Sequence, residues 1–117
     1  MHAVALTGLL GALACAGALA QAQAPTTPPE RQRELVRMVR QDCGSCHGMH
    51  LTGGLGPPLT PAALVDKPVS SMAATIFHGR PGTPMPPWRT FVTEAEALWI
   101  AEQLAGGFPP WPPRTSP

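Results

Sequence analysis

Apolar residues run almost without interruption from Ala3 to Ala20 and become periodic only after residue 30. Leu35, Met38, Val39 and Asp42 recur at i, i+3, i+4 and i+7, which predicts a helix to about Asp42. Thr27 is its expected cap, with Pro28 and Pro29 in the first turn. Gly44 and Gly48 break that pattern. Residues 52–61, Thr-Gly-Gly-Leu-Gly-Pro-Pro-Leu-Thr-Pro, read as loop, and Thr60-Pro61 opens a short helical turn to about Val65. Pro68 starts another helix, with Met72, Ala73, Ile76 and Phe77 as its apolar stripe and Gly79 as its stop. The four prolines between residues 80 and 90 predict a rigid, extended strap. Thr93-Glu94-Ala95-Glu96 is a capping box, which opens a last helix that buries Ala97, Ile100, Ala101 and Leu104 and ends at Gly106-Gly107. No strand pattern and no internal repeat occurs, so the fold class is a small all-α domain.

Met1 to Ala24 contain no Lys, Arg, Asp or Glu and end in overlapping small-x-small sites, Ala18-Leu19-Ala20, Ala20-Gln21-Ala22 and Ala22-Gln23-Ala24. Residues 1–24 therefore read as a signal peptide cleaved after about residue 20–24. A retained anchor is the rival, since about 18 apolar residues just span a bilayer, but Gly8, Gly11 and Gly17 make it a mediocre span. No stable membrane insertion is expected after cleavage. Residues 25–107 form the domain, and residues 108–117 a Pro-rich tail expected to be extended and poorly ordered.

So short a domain usually needs a staple. The chain has no Tyr, three Phe, three Trp and 16 Pro, which leaves few large side chains for a core. Its net charge of +1 gives no support to nucleic-acid binding. Arg31, Arg33, Arg37 and Arg40 crowd one segment and Glu94, Glu96 and Glu102 another, which we read as two solvated helix faces rather than a docking dipole. Cys15 falls in the leader, so the mature chain keeps two cysteines. In an exported protein these would ordinarily pair with each other unless something else occupied them.

Cys43-Gly44-Ser45-Cys46-His47 supplies that something. Two thiols three residues apart lie along one side of a helical turn, placed to add to the two vinyl groups of a haem. The following His47 can then ligate the iron, which is the signature of covalent haem c attachment. A thioredoxin-like pair would want an α/β fold, and structural zinc would want four ligands. Proximal histidines usually donate their second ring N–H to an acceptor. The Pro57 carbonyl in Gly56-Pro57-Pro58-Leu59 is suited to that, with Leu55 and Leu59 against the macrocycle.

Met38, Met49, Met72, Met85, His50 and His78 are the candidates for the sixth iron ligand. Met38 and Met72 fall on core stripes, and Met49 and His50 follow His47 too closely to reach the opposite haem face. Met85 sits among Pro84, Pro86 and Pro87, where stiffness lowers the entropy cost of holding a weak thioether. Met85 is the expected ligand and His78 the runner-up. Ligation by a histidine and a methionine raises the reduction potential, and filling both axial positions leaves none for substrate, which favours an electron carrier over an enzyme. Trp88 and Arg80 are candidates for contact with the haem propionates.

With these residues in view, the chain resembles a class I cytochrome c. More closely, Gln41-Asp42-Cys43-Gly44-Ser45-Cys46-His47-Gly48, Gly53-Gly54-Leu55-Gly56-Pro57-Pro58-Leu59 and the run from Ala74 to Trp88 are similar to NirC-type cytochromes. The resemblance implies a monomeric periplasmic monohaem protein with its helices wrapped around the haem. It also implies a redox partner, either cytochrome-cd nitrite reductase in denitrification or the proteins that assemble its d-type haem. A redox assembly factor is thus the alternative to a plain carrier. A haem-based gas sensor is a third reading, and Met85 counts against it.

Overall fold

The computed structural model describes residues 26–110. The expected leader, residues 1–24, and the tail from residue 111 onward lie outside the described residues.

Helix α1 spans Pro29–Met38. Pro29 fits its first turn because the N–H it lacks would have had no helical partner. Pro28, not Thr27, is the cap residue, and no side chain caps the helix. Starting at Pro29 leaves Thr27 one residue too far out to cap, and its carbonyl instead accepts from Gln32 Nε2 at 2.8 Å. From Val39 to Cys43 the backbone widens into a π-helical turn, followed by α2, Gly44–His47. The wider turn rotates each residue less, so the apolar phase slips. Leu35, Val36 and Val39 are buried, whereas Asp42, expected on the same stripe, is exposed.

Helix α3, Pro61–Leu64, starts where the Thr60 hydroxyl accepts from Ala63 N–H at 3.4 Å. Helix α4 covers Val69–His78 and stops at Gly79. The strap beyond it is not extended throughout. Arg80 to Thr83 forms a turn, closed by Thr83 N–H to the Arg80 carbonyl at 3.1 Å and by the Thr83 hydroxyl to the same oxygen at 2.7 Å. Gly82, at φ 78, permits that reversal, and only the stretch around Met85 to Trp88 runs on without a turn. Helix α5, Glu94–Gly106, opens with the expected capping box: Glu96 N–H donates to Thr93 Oγ1 at 3.2 Å and Thr93 N–H to Glu96 Oε2 at 2.8 Å. No strand occurs among the described residues, and none of their helices is long and apolar enough to cross a membrane.

One core cluster joins Leu35 and Val39 of the N-terminal segment, Leu64 of α3, Leu51 and Val92 of the connections, and Ala97, Ile100 and Leu104 of α5. The arginine-rich face is not uniformly solvated. Arg31 Nε donates to Glu96 Oε1 at 2.7 Å and Nη1 to Glu34 at 2.9 Å, pinning α1 to the start of α5. Arg40 Nη2 donates to the carbonyls of Phe108 at 3.2 Å and Pro109 at 2.7 Å, and its guanidinium lies 5.4 Å from the Phe108 ring centroid. The first residues of the expected loose tail are therefore docked, because an arginine 68 residues away supplies donors for their carbonyls.

Arg31, by hydrogen bonding, holds the Glu96 carboxyl below the usual carboxylate range, helped by the Thr93 amide and opposed by burial. A lowered carboxylate contributes stability that is present above its ordinary pKa and lost as pH falls through the folded value. Glu96→Gln should therefore lower stability by about 1–2 kcal/mol near neutral pH. The difference from the parent should shrink as acid protonates the Glu96 carboxyl, below the ordinary carboxylate range, as read by urea melts at neutral and at acid pH.

Candidate haem-attachment site

Cys43 closes the π-helical turn and Cys46 follows on α2, with no bond between them. Burial, reinforced by neighbouring Asp42, pushes the Cys43 thiol up to about 12. A disulfide-exchange pair works through a lowered thiol, so this environment is the reverse of a thioredoxin-like one. The Ser45 hydroxyl donates to the Asp42 carbonyl at 2.6 Å, tying the intervening residues to the turn before them.

His47 ends α2, and the loop after it folds straight back. Gly53 N–H donates to the His47 carbonyl and Gly56 N–H to the Cys46 carbonyl, both at 2.8 Å. Gly48 permits the reversal at φ 84, where a Cβ would stand 2.7 Å from the Gly53 oxygen. The fold-back brings the Pro57 carbonyl 2.7 Å from His47 Nδ1. A carbonyl can only accept, so Nδ1 carries the hydrogen, which in the neutral ring leaves the lone pair on Nε2. Gly56 allows the approach, because a Cβ there would lie 2.7 Å from His47 Cε1 and 2.8 Å from Nδ1. Cys43, Cys46, His47 and Pro57 thus lie together in one local unit.

Leu51 is an anchor that sequence reasoning did not single out. It is buried at φ 60, its N–H donates to the Gly48 carbonyl, and its own carbonyl accepts from Leu59 N–H, each at 2.8 Å. Its only signal was a lone large aliphatic residue between two loop segments. Leu59 is half-buried and packs on the core, whereas Leu55 stands 93% exposed at the tip of the loop.

The remaining predicted residues sit on or beside α4 and the strap. Met85 is half-buried, its N–H donates to Thr83 Oγ1 at 3.3 Å, and its carbonyl accepts from Arg80 N–H at 3.1 Å. Trp88 packs on the core, 5.8 Å between ring centroids from Phe91, and Arg80 is exposed. Met38 and Met72 pack against the core, Met49 is 66% exposed, and exposed His78 meets Phe77 edge-on at 4.9 Å.

Whether these residues suit a haem is answered by α4. Val69, Met72, Ile76 and Phe77 give it an apolar face, yet it contains no fully buried residue. Met72, Ile76 and Phe77 join Leu59, Trp88 and Cys43 in a half-covered apolar shell around the core. A broad apolar group attached at Cys43 fits such a shell, and the neighbouring His47 offers a nitrogen donor of the kind an iron would take.

Residues 30–115 match the family profile described as cytochrome c oxidase, cbb3-type, subunit III. Cytochrome c55X of Stutzerimonas stutzeri is 47% identical over 108 residues, covering 92% of this chain and 94% of that protein. The solved c-type cytochrome NirC superposes with a TM-score of 0.67 at 51% identity, over 68% of this chain and 94% of that one. The dihydro-heme d1 dehydrogenase NirN in complex with DHE superposes with a TM-score of 0.56 at 34% identity, over 68% of this chain but only 17% of NirN. The identity of 47% over nearly the full length and the shared all-helical fold bear out the resemblance read from the motifs: the chain belongs to the c-type cytochromes, and within them to the cytochrome c55X and NirC-like group of electron-transfer cytochromes rather than enzymes.

Proposed function

We propose that this chain is a periplasmic monohaem electron carrier. Cys43 and Cys46 would hold one haem c as thioethers, and His47 Nε2 and the Met85 thioether would ligate its iron. The observation that carries the reading is the 2.7 Å contact of His47 Nδ1 with the Pro57 carbonyl, directly after the paired cysteines. That contact fixes the tautomer and the ring orientation, and it makes Nε2 more electron-rich. Bound there, haem c supplies reversible one-electron chemistry. Leu59, Met72, Ile76, Phe77 and Trp88 keep its apolar surface from water, while Trp88 and Arg80 are the candidates to meet its propionates. The electron goes to cytochrome-cd nitrite reductase.

A second reading is supported by the likeness to NirN, a dihydro-heme d1 dehydrogenase. In it, the chain accepts electrons during assembly of the d-type haem. Deleting the gene in its host and measuring both the d-type haem content of the reductase and the rate at which that reductase is reduced separates the two. Normal d-type haem with a slowed electron supply is the expected result. Loss of d-type haem would replace the carrier reading with the assembly reading.

A further inference from the structure

Gly79 ends α4 at φ 71 and ψ −173, a region essentially confined to glycine, and it is buried. A Cβ on it would stand 2.7 Å from Pro87 N, 2.8 Å from the Pro86 carbonyl carbon and 2.9 Å from the Met85 carbonyl oxygen. All three are backbone atoms, so no side-chain rotation relieves the clash. The rings of Pro86 and Pro87 also hold their φ angles fixed. Hydrogen bonds on both sides keep the same register. Arg80 N–H donates to the Met85 carbonyl at 3.1 Å, Trp88 N–H to Ile76 at 3.0 Å and Arg89 N–H to Phe77 at 3.2 Å. The strap is seated on the one face of residue 79 where any other residue would carry its side chain.

From this geometry we propose that Gly79 is a positioning residue for Met85: it sets how closely the strap lies on the end of α4, and so where Met85 holds its thioether. The inference rests on Met85 as the sixth ligand. Ordinary contact begins at 3.4 Å, so a Cβ at residue 79 displaces the strap by half an ångström or more. That reaches the tolerance of roughly 0.5 Å within which a first-shell group must be held. A thioether is a weak ligand, and it yields where an imidazole would not.

Gly82 is the internal control. It lies in the same segment at φ 78, but nothing comes within 4 Å of a Cβ placed on it. Gly79→Ala, Gly82→Ala and Met85→Ala holoproteins are compared by the ferric sulfur-to-iron charge-transfer band and by imidazole titration, with far-UV circular dichroism to follow the helices. Gly79→Ala is expected to lose or strongly weaken the band and to bind imidazole at least about tenfold more tightly. Gly82→Ala keeps the parent values, and helix content is unchanged in both. A parent-like band and imidazole affinity in Gly79→Ala, with the band lost in Met85→Ala, overturns the proposal alone. Equal loss in Gly82→Ala also overturns it, since strain at positive φ would then suffice. A band that survives Met85→Ala overturns the ligand assignment and this proposal with it. If Gly79→Ala gives no folded holoprotein, Gly79→Ala with Pro87→Ala, whose strap can yield, decides: recovery carries the proposal and continued failure overturns it.

Discussion

Cys43→Ser and Cys46→Ser together are expected to leave a chain with no covalent haem and no cooperative unfolding transition. The fully buried side chains of the core cluster are few and mostly aliphatic: Leu35, Val39, Leu51, Leu64, Val92, Ala97, Ile100 and Leu104. Around them Leu59, Met72, Ile76, Phe77 and Trp88 are only half-covered. Completing the burial of such side chains is worth roughly 1 kcal/mol each, or about 5 kcal/mol for the shell. That is comparable with the whole stability of a small domain, about 5–15 kcal/mol. A serine hydroxyl does not form the thioether, so the double variant keeps the exposed shell and loses the group that covers it. Intact mass, haem retention after acid-acetone extraction and a thermal melt by circular dichroism check this. A double variant that still carries acid-stable haem, or melts cooperatively at the parent temperature, would refute the attachment assignment.

Met85→Ala is expected to abolish the near-infrared sulfur-to-iron band of the ferric protein entirely and to lower the reduction potential, because a thioether favours the ferrous state. Met72 is the informative comparison. It packs half-buried on the core from α4, so Met72→Ala should cost about 1–2 kcal/mol of stability while leaving the band in place. The two methionines thus differ in which property collapses, the spectrum for one and the melting curve for the other. Loss of the band in Met72→Ala, with Met85→Ala unaffected, would transfer the ligand role to α4.

The parts of this fold that could be read from sequence are those whose causes are local. The capping box needs only Thr93 and Glu96, three residues apart, and the α5 stripe needs only unbroken helical spacing; both appear as expected. The contact of Pro57 with His47 was legible because proline has no N–H of its own to satisfy and glycine precedes it. Phase and partners at a distance were not. Asp42 left the core stripe because the chain widens into a π-helical turn just before the cysteines, which no residue in that turn announces. Arg31 and Arg40 resemble any surface arginine until residues more than 60 positions away supply Glu96 and the Phe108 and Pro109 carbonyls. Gly79 read as a helix stop, which it is, but its contact with Met85 to Pro87 depends on a turn whose closure sequence spacing does not reveal.

The way the two ends of the chain share the core also sets an order of events. Leu35 and Val39 share one core cluster with Ala97, Ile100 and Leu104, and Arg31 finds its carboxylate 65 residues later. Contacts of such long span close late, because the intervening loop must be ordered before they return anything. A chain emerging from its N-terminus has no core to complete until α5 is present. Until then the stretch holding Cys43 and Cys46 has no completed core behind it, and both thiols are within reach of whatever joins them to haem.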